Sequence, residues 1–264
     1  VIVIILKLVF PTLIKGLKRL IIVLILAIIF FNIVLNNNFL LIMKNIIAIT
    51  NRKGGVGKTT VAVNLVAALA TNFKLNCVLI DADPIGSSSL WIEETSIQRL
   101  KLKRLTLPNS PSNKFHALQT WGATLSSIAL ECDIVIADLP PIDLGVFSEL
   151  IHQVGYIIIP VGLSSLEWEA SFPLIERVIS ASKDNKKTKG IIVPSRIHPQ
   201  KILPRDKISE VLPSQWTLAP QVSLRSDFHK AAEQKDWIGN TAKNSIAHKE
   251  INKLSKFIFK IIEK

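Results

Sequence analysis

The 264-residue chain is 48% hydrophobic, carries a formal net charge of +12 and contains two cysteines. That length suits one α/β domain, or one domain with an appendage, and two cysteines without CxxC spacing argue against a disulfide framework or a cysteine-built metal centre. Cys77 and Cys132 lie in apolar runs and read as reduced, buried thiols; the basic balance favours polyanionic partners, either nucleic acid or an anionic membrane surface.

Residues 1–42 stand apart. They hold no Asp, Glu, Ser, Gln, His, Cys, Tyr or Trp, and their only charges are Lys7, Lys15, Lys18 and Arg19, which leaves +8 on residues 43–264. Leu20–Leu35 (LIIVLILAIIFFNIVL) is 16 residues long, short of the roughly 20 that a spanning helix wants. Lys15, Lys18 and Arg19 flank it on the N-terminal side, and no small-residue cleavage site follows. The Ile, Leu, Phe, Asn and Lys composition is also what AT-rich non-coding DNA yields when translated, and the sole methionine is Met43. Two readings follow: an over-extended gene start ahead of a working chain of residues 43–264, or a membrane anchor. The first is the expectation.

From Met43 onward short apolar runs alternate with helix-like stretches. Strands are expected at Asn45–Thr50, Cys77–Asp81, Asp133–Asp138, Tyr156–Pro160 and Gly190–Val193. Helices are expected at Thr59–Ala70, around Ala117–Leu130, at Leu144–Val154, at Leu166–Ala181 and at Pro204–Leu212. Runs of β-branched residues without alternation suit strands covered on both faces, and strand–helix alternation implies one doubly wound, mostly parallel sheet. Lys101–Lys114 (KLKRLTLPNSPSNK) is basic and contains proline, so it reads as a surface loop.

Lys53–Thr60 (KGGVGKTT) lies between the first strand and the first helix, the setting a phosphate-binding loop requires. Gly54, Gly55 and Gly57 let the backbone curl so that its N–H groups, with those of Val56 and Thr60, face phosphate oxygens. The helix that follows adds its positive end. Lys58 can reach the β- and γ-phosphates of a nucleotide, and Thr59 can place its hydroxyl on Mg2+. The strict GxxxxGK[ST] pattern fails, because Arg52 stands where glycine is required and a second lysine, Lys53, follows it.

This is the deviant Walker A motif, and here the sequence resembles the ParA/MinD family of P-loop ATPases. The resemblance implies ATP and Mg2+ as ligands. It also implies a nucleotide-sandwich homodimer in the ATP state, with Lys53 acting across the interface on the partner's ATP. Further segments fit the family. Asp81–Ser89 (DADPIGSSS) looks like its DxDPxxS motif, which implies Asp81 near the Mg2+ shell and Asp83 orienting the attacking water. Ile134–Pro141 (IVIADLPP) is similar to its Walker B segment, which implies that Asp138 holds Mg2+. All three carboxylates fall at strand ends, where open α/β sheets bind ligands. Asp133 and Asp143 match no motif position and read as surface or cap residues. Tyr156–Trp168, Gly190–His198 and Val222–Glu233 resemble later family segments, so the likeness spans nearly all of residues 43–264.

Within the family the small plasmid-partition ParA proteins are the nearest in form. That implies a cytoplasmic, nucleoid-associated ATPase whose ATP dimer binds non-specific DNA and whose hydrolysis is stimulated by a ParB-like centromere-binding protein. The rivals are a MinD-like membrane-cycling positional ATPase and an ATP-gated DNA-binding autorepressor. Lys249–Lys264 (KEINKLSKFIFKIIEK) bears on the choice. Lys249, Lys253, Lys256, Lys260 and Lys264 fall on one helical arc, with Ile251, Leu254, Ile258, Ile261 and Ile262 opposite. This helix can pack on the domain with a solvated lysine face, offer that face to DNA, or lie in a membrane interface. Membrane contact would need either that or a genuine segment 1–42. Lys183–Lys189 and Arg196–Lys207 are further basic patches.

Overall fold

The computed structural model describes residues 45–92, 97–108, 114–142, 144–162, 165–184, 188–198, 200, 212 and 216–263. The expectations for residues 1–42, for Asp143 and for a helix at Pro204–Leu212 (all but its last residue) lie outside these, as does much of the two patches Lys183–Lys189 and Arg196–Lys207.

Among the described residues, eight parallel strands form the sheet: β1 (Ile46–Ile49), β2 (Cys77–Asp81), β3 (Leu100–Arg104), β4 (Ile134–Asp138), β5 (Tyr156–Val161), β6 (Lys189–Ile197), β7 (Trp216–Leu218) and β8 (Val222–Ser223). The spatial order is β3-β2-β4-β1-β5-β6-β7, with β8 also pairing with β6. The helices are α1 (Lys58–Phe73), α2 (Ser87–Ile92), α3 (Lys114–Ala129), α4 (Leu144–Leu150), α5 (Ser165–Asp184), α6 (Ser226–Glu233), α7 (Ile238–Thr241) and α8 (Ile246–Ile262).

β1, β2, β4 and β5 are buried along their whole length, as strands covered on both faces must be. Alternate residues feed two cores. Ile46, Ala48, Val78, Ile80, Val135 and Ile157 pack with Leu118 and Leu125 of α3 and Leu174 and Val178 of α5. Ile47, Ile49, Leu79, Ile136 and Ile158 pack on the other face with Leu65 and Leu69 of α1 and with Ile251, Leu254 and Ile258 of α8. The doubly wound parallel sheet is therefore what the apolar runs predicted.

Three local readings change. The first part of Lys101–Lys114 is not loop: β3 pairs in parallel with β2 from Cys77↔Leu100 to Asp81↔Arg104. Leu100 and Leu102 pack against the core while Lys101, Lys103 and Arg104 are exposed. A charged outer row is how an edge strand avoids pairing with another chain, and those charges made it read as a loop. Ser87–Ile92, where no element was expected, forms α2. β7 was missed altogether, since three residues give no period. It leaves a trace at Gly190, where an added Cβ would sit 2.4 Å from the Trp216 ring.

The C-terminal helix starts earlier than expected because Ser245 caps it, its hydroxyl accepting from His248 N at 3.1 Å. Its apolar face is taken up by the domain. Ile251, Leu254 and Ile258 are fully buried, Phe259 stacks on Phe73 of α1 at 4.1 Å, and Tyr156 donates its hydroxyl to Ile261 O at 3.0 Å. Lys249, Lys253, Lys256 and Lys260 are exposed. The face that a membrane interface would need is thus occupied. Among the described residues no helix is long and apolar enough to cross a membrane.

Candidate nucleotide site

The phosphate loop springs from the C-terminal end of β1, in the middle of the sheet. β4 lies beside β1 and β2 beside β4, so the register aligns Ile49 with Asp138 and Asp138 with Asp81. Sheet order thereby brings three sequence-distant motifs to one edge. Gly55 and Gly57 adopt left-handed backbone (φ 72° and 92°), which L side chains resist and glycine does not. A Cβ on Gly57 would also lie 2.7 Å from Ser195 Oγ. No side chain caps α1 and its first turn has no acidic residue, so its leading N–H groups remain available to an anion.

Lys58 is buried, and its Nζ donates to Lys53 O at 3.3 Å. Burial lowers its pKa, against the pull of the Asp138 and Asp83 carboxylates. Asp138 is buried at the end of β4, with Oδ2 accepting from Ser88 Oγ at 2.9 Å. Burial raises its pKa to about 6; the Thr59 and Ser88 hydroxyls pull it down, the Asp81 charge pushes it up and the Lys58 charge pulls it down. Its Oδ1 is buried without a hydrogen-bond partner among the described residues. Asp81 is fully buried and both its oxygens are engaged, Oδ1 by Asp83 N at 3.2 Å and Oδ2 by Ser89 N at 2.8 Å. Asp83 caps its own turn, Oδ1 accepting from Ile85 N at 2.9 Å.

These groups border a cleft of about 380 Å³, within the usual range for small-molecule sites. Gly54, Gly55, Gly57, Lys58, Thr59, Thr60 and Asp83 line it, whereas Lys53, Val56, Asp81 and Asp138 do not. Its far wall was not anticipated. Val222, Leu224, Phe228 and Ala232, with Trp91 facing, give it apolar sides suited to a flat ring. Ser223 and Arg225 on that wall are tied to α8 by Glu250, which accepts from Ser223 N and Oγ at 2.8 Å each and pairs with Arg225 at 3.0 Å. Arg196, read from sequence as part of a basic patch and of the family-like segment Gly190–His198, donates its guanidinium to Gly55 O from a left-handed backbone (φ 54°). A non-glycine residue held there is a strained position of the kind that gathers at functional sites. Arg104 donates to Pro84 O at 2.7 Å and so braces the Asp83 turn from β3.

The donor set fits Mg2+. A buried carboxylate oxygen without a partner among the described residues, beside the Thr59 hydroxyl, is hard-oxygen chemistry of the kind that would hold Mg2+. Without metal that carboxylate is a liability. Its raised pKa means that the folded state holds a proton between about pH 4 and 6 that the unfolded state has released, so metal-free stability falls as pH rises through that window. Asp138→Asn therefore flattens the pH dependence between pH 4 and 6. It also raises metal-free stability at pH 7.5 by on the order of 1–2 kcal/mol, as read by urea unfolding.

The family model described as "CobQ/CobB/MinD/ParA nucleotide binding domain" matches residues 47–238. Over 160 residues the chain is 32% identical to "Maintenance of carboxysome distribution protein A" of Halothiobacillus neapolitanus, covering 60% of this chain and 69% of that protein. Over 54 residues it is 57% identical to "Chromosome partitioning protein ParA" of Caulobacter vibrioides, covering 20% of each. Among solved structures it is similar to an ATP complex of McdA from Cyanothece (TM-score 0.60, 15% identity, 83% of this chain and 96% of that one). It is also similar to MinD in the MinC:MinD complex of Aquifex aeolicus (TM-score 0.64, 20% identity, 82% and 96%). At such identities the structural likeness speaks for the fold alone.

Proposed function

The chain belongs to the CobQ/CobB/MinD/ParA nucleotide-binding family and is a positional ATPase of ParA/MinD type that binds ATP with Mg2+, and from that premise we propose that it is a ParA-type ATPase that partitions plasmid or chromosomal DNA. Lys58 and the backbone N–H groups from Gly54 to Thr60 hold the phosphates, and the apolar far wall takes the base. Thr59 and Asp138 would hold Mg2+, with Asp81 near that site fixing the Asp83 turn. The bound ion supplies positive charge to the β- and γ-phosphate oxygens. Asp83 positions the attacking water, and Lys53, outside its own cleft, reaches a second subunit's nucleotide in an ATP-bound homodimer. That dimer holds non-specific DNA on the nucleoid, in the cytoplasm, until a ParB-like partner stimulates hydrolysis.

One observation carries the DNA reading over a membrane one: α8 buries its apolar face and leaves Lys249, Lys253, Lys256 and Lys260 exposed. The 32% identity to a carboxysome distribution protein favours a second reading of the cargo, a protein body carried on DNA in place of a replicon.

The test is ATP-dependent retention on non-specific DNA against pelleting with anionic liposomes. DNA retention with ATP, lost on raising salt, is expected. The triple variant Lys253→Glu, Lys256→Glu, Lys260→Glu then lowers DNA affinity at least about tenfold, and each lost phosphate contact shallows the log–log salt slope by about 0.9. ATP-dependent pelleting with liposomes and no DNA retention overturns this reading in favour of a MinD-like one. Retention only on the protein's own promoter DNA would favour the autorepressor.

A further inference from the structure

Asn51, two residues ahead of Lys53 at the head of the phosphate loop, is fully buried, and its carboxamide joins three elements. Its Nδ2 donates to Pro160 O in β5 at 2.8 Å and to Ser171 Oγ in α5 at 2.9 Å. Its Oδ1 accepts from Lys53 N at 3.1 Å. Ser171 is itself fully buried. The Lys53 main chain is therefore held at its N–H by Asn51, while its carbonyl accepts from Lys58 Nζ at 3.3 Å, a donor that phosphate oxygens would take over. The Asn51 bond, which nucleotide binding does not displace, fixes the backbone from which the Lys53 side chain departs.

We propose that Asn51 is a positioning residue for Lys53, holding the loop's leading lysine in its working direction with Ser171 of α5 as the anchor. The chemistry of the amide is specific to the task. Only a carboxamide offers an acceptor to the Lys53 N–H and two donors to an oxygen-lined wall. Aspartate keeps the acceptor but sets a buried charge against the Pro160 carbonyl oxygen. Leucine or alanine leaves the Lys53 N–H and Pro160 O without their partner. The arrangement also makes the loop answer to α5. A displacement of Ser171 shifts the carboxamide, and with it the direction of Lys53. Turnover thus depends on a helix that does not line the cleft.

The inference rests on the proposed role of Lys53, and a double-mutant cycle separates the two. The variants are Asn51→Ala, Ser171→Ala and Lys53→Ala, singly and with Lys53→Ala combined with each of the others. The readouts are kcat, KM for ATP, ATP-dependent dimerisation by light scattering, and the melting temperature. Lys53→Ala keeps the backbone N–H and removes only the side chain being aimed. Asn51→Ala is expected to lower kcat about tenfold, and Ser171→Ala about threefold, with KM changed less than twofold. In the Lys53→Ala background neither has a further effect on kcat. A role confined to stability would lower the melting temperature and act equally in both backgrounds. Equal effects in both backgrounds, or a wild-type kcat in Ser171→Ala, overturn the proposal even where Asn51→Ala does not fold. If Lys53→Ala alone leaves turnover and dimerisation unchanged, the reading of Lys53 fails and the positioning role fails with it.

Discussion

Lys58→Met lowers kcat/KM for ATP by about a thousandfold or more and leaves the domain folded. The ammonium group is buried at the start of α1, where burial alone disfavours its charge and the Asp138 and Asp83 carboxylates favour it. Its hydrogen bond goes to Lys53 O, at a long 3.3 Å. A charged donor in that position gains on exchanging a carbonyl for phosphate oxygens, because a charge-assisted bond in a poorly solvated site exceeds a neutral one. Removing one preorganised donor at a developing oxyanion costs about 10²–10³ in kcat, and cations on a transferring phosphoryl group contribute more. Methionine keeps the length of the side chain and the packing of α1, so the loss falls on phosphate binding and on the transition state. Steady-state phosphate release, isothermal titration with ATP and a thermal melt measure the three parts. Turnover within tenfold of wild type would sink the phosphate-binding assignment of Lys58.

How far the sequence could be read depended on the range of the interactions. The buried strands were legible because a strand covered on both faces is apolar at nearly every position, as at Ile46–Ile49 and Tyr156–Val161. The phosphate loop was legible because its backbone conformation demands glycine locally. β3 was hidden because its exposed face is all lysine and arginine, and β7 because it is stabilised by pairing with β6 and not by its own three residues. In the candidate site the groups missed act across long sequence separations. Ser88 on Asp138, Arg196 on Gly55 and Glu250 on Ser223 and Arg225 join residues 25 to 141 positions apart. No local pattern announces a serine that will sit under a carboxylate 50 residues away. Asn51 marks the same limit only two residues from the loop, since nothing in its neighbours shows that its amide reaches β5 and α5.

Asp83→Asn lowers kcat by about 10²–10³ while KM for ATP changes less than about threefold, and the ATP-bound state accumulates. Asp83 is the one acidic residue among the described residues that line the cleft, and its turn is fixed from three sides. Asp81 Oδ1 accepts its backbone N–H at 3.2 Å, Gly86 N donates to its carbonyl at 2.9 Å, and Arg104 holds the next carbonyl, of Pro84, at 2.7 Å. Gly86 takes a left-handed conformation (φ 76°) under the Arg104 guanidinium, where an added Cβ would come within 3.1 Å. With Oδ1 committed to Ile85 N at 2.9 Å, Oδ2 is the oxygen that can accept a proton from, or orient, a water in the cleft. Asparagine keeps the shape and the Oδ1 contact but turns the second oxygen into a donor. The nucleotide still binds, and a positioned base or orienting acceptor of this kind contributes about 10²–10⁴ to rate. A fall in kcat with KM held marks an interaction made in the transition state and not in the ground state. On the partition reading the variant stays on DNA with ATP, because release waits on hydrolysis. Single-turnover hydrolysis alongside DNA dissociation rates tests both parts, and a kcat within threefold of wild type would remove Asp83 from the water-positioning role.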